Sequence, residues 1–223
     1  MNYFAHGYRF TDRPYFLAGT AVPDWLSVAD RRVRMRARRV EPFADGSGTP
    51  RAEVAAGILR HLDDDGWFHR TRAFHEVTGE VTRMFRALPG TDEGFRPSFL
   101  GHIVTELILD GVLISRDPDR LHDYYRALGE LDPHLVQQAV NEMARDTTER
   151  LAPLIPLFRQ ERFLWDYLEP PRLLFRLNQV MRRIKLNPLP AGTEAVLEAA
   201  WEVVASRSHE LMSANGPVPD DPA

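Results

Sequence analysis

Two ladders of titratable side chains run through apolar sequence, and no other feature restricts the fold of this chain as tightly. The first is His61-x-x-x-Asp65-x-x-x-His69; the second, about forty residues on, is His102-x-x-x-Glu106-x-x-x-Asp110. On a helix, residues four apart lie one turn above each other on the same face, with about 5–6 Å between Cβ atoms. Each ladder therefore stacks imidazole and carboxylate groups at the spacing a metal needs. Around the first, Val54, Ile58, Leu59 and Leu62 recur at helical intervals, which sets His61 and Asp65 near the buried side of an amphipathic helix. A carboxylate buried without compensation is strongly destabilising, so these acids need the imidazoles, a cation or water. The pattern predicts an all-α, multi-helix bundle with ligands projecting inward from facing helices.

Four and eight positions correspond to about 6 and 12 Å of rise, so His61 and His69 cannot share one ion from a straight helix. Two ions about 3.5–4 Å apart solve this if Asp65 bridges them. If Gly66 ends the helix, His69 binds substrate instead. His6, in Tyr3-Phe4-Ala5-His6, and Asp24, after Pro23, are the N-terminal residues suited to complete the set, although a His in such a stretch is ordinarily a core residue and an Asp after Pro ordinarily a helix cap.

The chain contains no cysteine, so disulfides and thiolate sites are excluded and a metal must be held by His, Asp and Glu. That donor set favours zinc, manganese or iron, one or two ions. A net charge of -4 does not suggest a dedicated nucleic-acid binder. The length of 223 residues fits a single helical domain over 1–214, with a metal-site half at 1–115, a helical half at 116–214, and a disordered tail at 215–223. The longest apolar run, Ile103 to Ile114, is interrupted by Glu106 and Asp110 and falls short of the roughly 20 residues a bilayer requires. Without a signal-like start, the expected compartment is the cytoplasm.

Helices are expected over a proline-broken segment ending near Pro23-Asp24-Trp25, an arginine-rich segment 27–43, a helix starting at Thr49-Pro50 and interrupted at Gly66, then Phe74–Leu88, Pro97–Ile114, Asp117–Leu128, Pro133–Leu151, Ala152–Leu168, Pro171–Lys185 and Thr193–Ser213. Ala44–Pro50 reads as a loop, and Pro89-Gly90 as the stop after the Phe74 helix. Arg34 and Arg38, four apart, could hold a substrate phosphate, as could Arg70 and Arg72 beside the first ladder; such a run is ordinarily a solvated face. Asp63 and Asp64 read as solvated surface. Phe163, Trp165, Tyr167 and Phe175 read as core, or as a partner surface.

Three segments carry a family resemblance: the opening MNYFAH, the stretch LAGTAVPDWL, and EVAAGILRHLDDDGWF. They resemble the Met-Asn-hydrophobic-Ala-His, Leu-x-Gly-x-x-x-x-Asp and Gly-Ile-x-x-His-x-x-x-Asp elements of the acyl carrier protein phosphodiesterase family, helical hydrolases related to the HD-type metal phosphohydrolases. The resemblance covers roughly residues 1–115 and implies His6, Asp24, His61 and Asp65 as the metal and catalytic set. Where that family has Asp-x-x-x-Asp-His, this chain has His102-x-x-x-Glu106, and His69 replaces another acid. Both departures, together with Gly19 to Asp24 as Gly-x-x-x-Pro-Asp, resemble the zinc-dependent phospholipase C group.

The expected activity is metal-dependent phosphoester hydrolysis on an HD-like or phospholipase C-like bundle. His6, Asp24, His61, Asp65, His69, His102 and Glu106 supply ligands, Asp24 bridges or orients the attacking water, and His69 ligates or protonates the leaving oxygen. The substrate is a phosphoester, with an acyl carrier protein or a phospholipid implied by the two resemblances and no stable membrane insertion. Two other readings of the same residues stand beside it: a non-catalytic helical binding protein, and a structural metal site with no open position.

Overall fold

A computed structural model describes residues 1–88 and 95–213. Among these the chain forms helices α1 (Tyr3–Gly7), α2 (Pro14–Ala29), α3 (Ala37–Val40), α4 (Pro50–Phe68), α5 (Arg72–Arg86), α6 (Pro97–Arg116), α7 (Pro118–Ala127), α8 (Pro133–Met143), α9 (Leu151–Glu161), α10 (Pro170–Arg183) and α11 (Thr193–Met212). Short 3-10 segments lie at Glu41–Phe43 and Phe163–Leu168, and no strand occurs among the described residues. The architecture is all-α. Proline opens α2, α4, α6, α7, α8 and α10. Its fixed φ suits the first turn, where its missing N–H would have no partner in any case. Side-chain caps reinforce several starts: Thr49 accepts from the Ala52 amide at 3.3 Å, Thr71 from Phe74 at 3.2 Å, Asp117 from Arg120 at 3.0 Å and Asp132 from His134 at 2.8 Å.

The chain divides into two compact units, each drawing on both halves of the sequence. One comprises Met1–Gly66 with Asp117–Phe163; the other comprises Trp67–Arg116 with the described residues from Leu164 on. In the first, α2 packs against α1, α8 and α9, and buries Leu17, Trp25 and Leu26. Phe158 of α9 meets Tyr3 edge-on at 4.9 Å and Trp25 at 5.4 Å. In the second, α5, α6 and α11 pack on one another and α10 lies against α11. Buried residues recur every four positions: Val77, Val81 and Phe85 on α5, Leu100, Val104 and Ile108 on α6, Leu173, Leu177 and Met181 on α10. Each such side chain contributes about 1.5–3 kcal/mol on burial. Helix α6 is long and apolar enough to cross a membrane by length and composition, and most of it is buried within its unit, the position of a core helix.

Two helices of the first unit cross with their backbones in contact. A β-carbon on Gly57 of α4 would overlap the Phe16 carbonyl oxygen and lie 2.9 Å from the Gly19 Cα; one on Gly19 of α2 would overlap the Val54 carbonyl oxygen. Only glycine fits at either position. Helix α5 approaches α6 in the same manner, because a β-carbon on Gly101 would overlap the Thr82 hydroxyl and lie 2.8 Å from the Thr78 carbonyl oxygen.

Several boundaries differ from the sequence expectation. Pro23 does not end α2, which continues to Ala29. It withholds an N–H from the Gly19 carbonyl four residues earlier and the helix absorbs the loss. Gly66 does not interrupt α4, which runs on to Phe68. Segment 27–43 is not one helix: the Asp30 carboxylate accepts from the Arg32 amide at 3.3 Å and its carbonyl from Val33 at 3.1 Å, closing α2 in a turn. Beyond it Val33 and Met35 are buried while Arg34 and Arg36 are exposed, an alternation of two rather than 3.6. The expected helix Pro133–Leu151 breaks after Met143, where the Asn141 side chain takes both the amide and the carbonyl of Thr148, at 2.9 and 3.0 Å. Likewise Ala152–Leu168 breaks at Arg162, whose φ of 45° is left-handed. Tyr167 is buried and Phe175 is 55% exposed. Pro89-Gly90 and the tail 215–223 lie outside the described residues.

Candidate metal centres

Six of the residues singled out from the sequence gather as two groups of three. His6, His61 and Asp65 offer ligand atoms within 4.8 Å of one another, as do His69, His102 and Glu106. The first lies in the unit built on α2, the second in the unit built on α5 and α6.

His61 stands one turn after Gly57 on α4. The close crossing there brings its Nδ1 to 2.8 Å from the Thr20 carbonyl oxygen of α2. A carbonyl only accepts, so Nδ1 carries a proton, and Nε2 is the nitrogen left for a ligand. It faces Asp65 Oδ2 at 3.5 Å. His6, from α1, lies over the same carboxylate with Nε2 3.3 Å from Asp65 Oδ1, and its ring stacks on His61 with centroids 4.0 Å apart. Neither His6 nitrogen is oriented for a hydrogen bond, although both are buried. Ligand atoms around a tetrahedral ion with bonds of about 2.1 Å stand roughly 3.4 Å apart, and the 3.3 and 3.5 Å separations, each to a different oxygen of Asp65, are compatible with that spacing. The donor set, two imidazoles and one carboxylate, suits zinc, manganese or iron.

The charges around this group are coupled. Burial would lower the His6 imidazole, but Asp64 and Asp65 outweigh it and hold its pKa up at about 9. Burial would raise Asp65, but His6, His61 and the Met1 ammonium, 2.9 Å from Oδ1, keep it far below the usual carboxylate range. Without a metal, the Met1 ammonium and protonated His6 are the positive charges set against Asp65. Asp24 is half-buried on α2, one turn beyond Thr20; it acts on His6 through space and is not one of the three clustered ligands.

In the second group, His69 does not continue the α4 ladder. It occupies the turn after Phe68, closed by Arg70 N–H to the Trp67 carbonyl at 3.0 Å and Thr71 N–H to Phe68 at 3.1 Å. From there Nε2 hydrogen-bonds Glu106 Oε1 at 2.8 Å. His102, one turn earlier on α6, places its own Nε2 3.3 Å from the same oxygen. The Phe74 ring closes one side, with centroids 5.0 Å from His69 and 5.1 Å from His102. Burial would raise Glu106, but His102 and His69 hold it well below the carboxylate range. Asp110, the last rung of the ladder, is fully buried on α6 and outside this group.

Asp64, which reads as surface in the sequence, is buried, with its carboxylate 2.9 Å from Arg60 Nε and 3.5 Å from His6 Nδ1. The signal that could have found it is the Arg60-x-x-x-Asp64 pairing, one helical turn apart. Among the phosphate candidates, Arg34, Arg38 and Arg70 are exposed, and Arg72 pairs with Glu76 at 2.6 Å. Comparison with family models, with curated proteins and with solved structures gives no match.

Proposed function

We propose that this chain is a metal-dependent phosphoester hydrolase, with a divalent ion held by His6, His61 and Asp65. The observation that carries the reading is the anchoring of His61: its Nδ1 donates to the Thr20 carbonyl at 2.8 Å, which leaves Nε2 beside the Asp65 carboxylate at 3.5 Å, where one cation could take both as ligands. A divalent ion there would polarise a phosphoryl oxygen and lower the pKa of water toward neutrality.

The protein's part is to hold and orient. Thr20 fixes His61, and Asp65, with a side chain 35% exposed, leaves one side of the group open to solvent and substrate. Asp24 is suited to orient the attacking water, because its carboxylate reaches the same electrostatic neighbourhood without being one of the three ligands. The His69, His102 and Glu106 group offers a second ion place, with His69 as ligand. Exposed Arg34, Arg38 and Arg70 are the candidates for a substrate phosphate. An HD-like or phospholipase C-like helical arrangement, a cytoplasmic setting and a substrate such as an acyl carrier protein or a phospholipid belong to the same reading, supported by the three sequence segments described above.

A structural ion is the second reading, favoured by the near-complete burial of the His6 and His61 side chains. Purification without chelator, reconstitution with zinc, manganese or iron, metal quantification, and assay on a phosphodiester and a phosphomonoester separate the possibilities. Stoichiometric metal with chelator-sensitive turnover is expected. Stoichiometric metal without turnover supports the structural ion, and no metal overturns both.

A further inference from the structure

We infer that Asp64 is a positioning residue for the first metal centre, holding the His6 ring from the side opposite its ligand nitrogen, and that Arg60 holds Asp64. The inference rests on the reading of His6, His61 and Asp65 as ligands and names the part of the protein that sets their geometry.

Asp64 and Asp65 are consecutive on α4, and consecutive helical side chains diverge by about 100°. Here that divergence brackets one ring: Asp65 Oδ1 lies 3.3 Å from His6 Nε2, and Asp64 Oδ2 lies 3.5 Å from His6 Nδ1. With Nε2 given to an ion, Nδ1 carries the proton and needs an acceptor, and Asp64 is the carboxylate beside it. The other imidazole already has such an anchor in the Thr20 carbonyl, 2.8 Å from His61 Nδ1. His6 comes from the short helix α1 and its nitrogens make no oriented hydrogen bond of their own, so it has the greater need of one.

Burial supports the assignment. The Asp64 side chain is 3% exposed, and Arg60 meets it at 2.9 Å while remaining 43% exposed itself. A carboxylate withdrawn from water this far is retained at a cost unless it is paired on both sides, which Arg60 and His6 provide. The rings of His6 and His61 stack at 4.0 Å, and loss of Asp64 would leave that stack and Asp65 as the remaining restraints on the pitch of the His6 ring.

The test uses cobalt(II) as a spectroscopic metal on the full chain, with affinity measured by competition against a chelating dye. Asp64→Asn is expected to lower cobalt affinity about 10–100-fold, the usual worth of an outer partner to a ligating histidine. It should also change the intensity of the visible cobalt band, a readout that loss of folding stability alone does not move. Asp64→Glu should restore part of the affinity, and Arg60→Ala should produce a smaller loss with the band changed in the same sense. An Asp64→Asn protein with wild-type affinity and band overturns the inference. If that variant does not fold, Arg60→Ala with unchanged affinity and band does so. Failure of the wild-type chain to take up cobalt would instead remove the metal reading itself.

Discussion

The two His–carboxylate groups use the same three residue types and arrange them for different conditions. In the first, each imidazole has its own neighbour away from the shared acid: the Thr20 carbonyl for His61, Asp64 for His6. The Nε2 atoms then face Asp65 across 3.3 and 3.5 Å. In the second, His69 and His102 both direct Nε2 at a single oxygen of Glu106, at 2.8 and 3.3 Å, whereas Asp65 spreads its contacts over two oxygens and takes the Met1 ammonium as well, at 2.9 Å. Exposure follows the same division. Side chains of His6 and His61 are nearly buried, whereas those of His69 and His102 are 33% and 45% exposed. Preorganisation for a cation thus depends on where the second nitrogen of each ring is engaged, more than on the identity of the ligands.

Asp65→Asn tests this most severely. It removes the anionic ligand shared by both imidazoles, and the expected loss of zinc affinity at the first group exceeds the roughly 10–100-fold attached to an outer partner. Isothermal titration of the variant measures it, and a loss below tenfold would place the strong site elsewhere. Gly57→Ala acts on the same group through the backbone: the added carbon overlaps the Phe16 carbonyl oxygen, and overpacking of this kind costs about 1–3 kcal/mol. Urea unfolding should show that loss, together with weakened zinc binding, because the Thr20 to His61 distance is set at this crossing.

Acidity should move the two groups in characteristic directions. His6 is raised from 6.5 to about 9, so its contribution to the metal-free fold is complete below pH 6.5 and is lost as pH rises through about 9. Zinc competes with the same proton, and its affinity at the first group should climb by up to about tenfold per pH unit across that window. Glu106 is shifted the other way; its contribution is present above its ordinary value of 4.5 and disappears as pH falls below it. Metal-free thermal melts from pH 3 to 10, read against zinc-loaded ones, check both signs; an alkaline loss that zinc does not offset would contradict the pairing drawn for His6. The smallest effect is expected from Arg72→Ala. Arg72 is itself 90% exposed where it meets Glu76, so thermal stability should not change measurably. A rise in KM for a phosphoester would assign Arg72 to the substrate.

Helix starts could be read from the sequence because they are local: Thr49-Pro50, Asp117 and Pro133 act within one turn of themselves. The ends of α5, α6, α7, α10 and α11 could be read to within two residues, whereas those of α2, α8 and α9 could not. Asn141 stops α8 by capturing Thr148 seven residues on, and Asp30 ends α2 by folding back on Arg32 and Val33. Spacing alone placed His61 with Asp65 and His102 with Glu106, both one turn apart on a single helix. His69 was another matter. Eight residues from His61 on paper, it leaves the ladder because α4 ends at Phe68, and the turn that follows delivers it to Glu106. Asp64 reads as solvated because it stands in a run of three aspartates, and only the direction each takes from the helix distinguishes them.

The contact of α2 and α4 at Gly19 and Gly57 sets how closely the Thr20 carbonyl and the His61 backbone approach, leaving the His61 side chain alone to span the gap. Side chains elsewhere in this unit can exchange conformers or drift by substitution without lengthening that span, which behaves as a fixed gauge bar between two cylinders. Variation that preserves both glycines should therefore leave the pitch of the His61 ring unaltered, however far the surrounding apolar residues diverge.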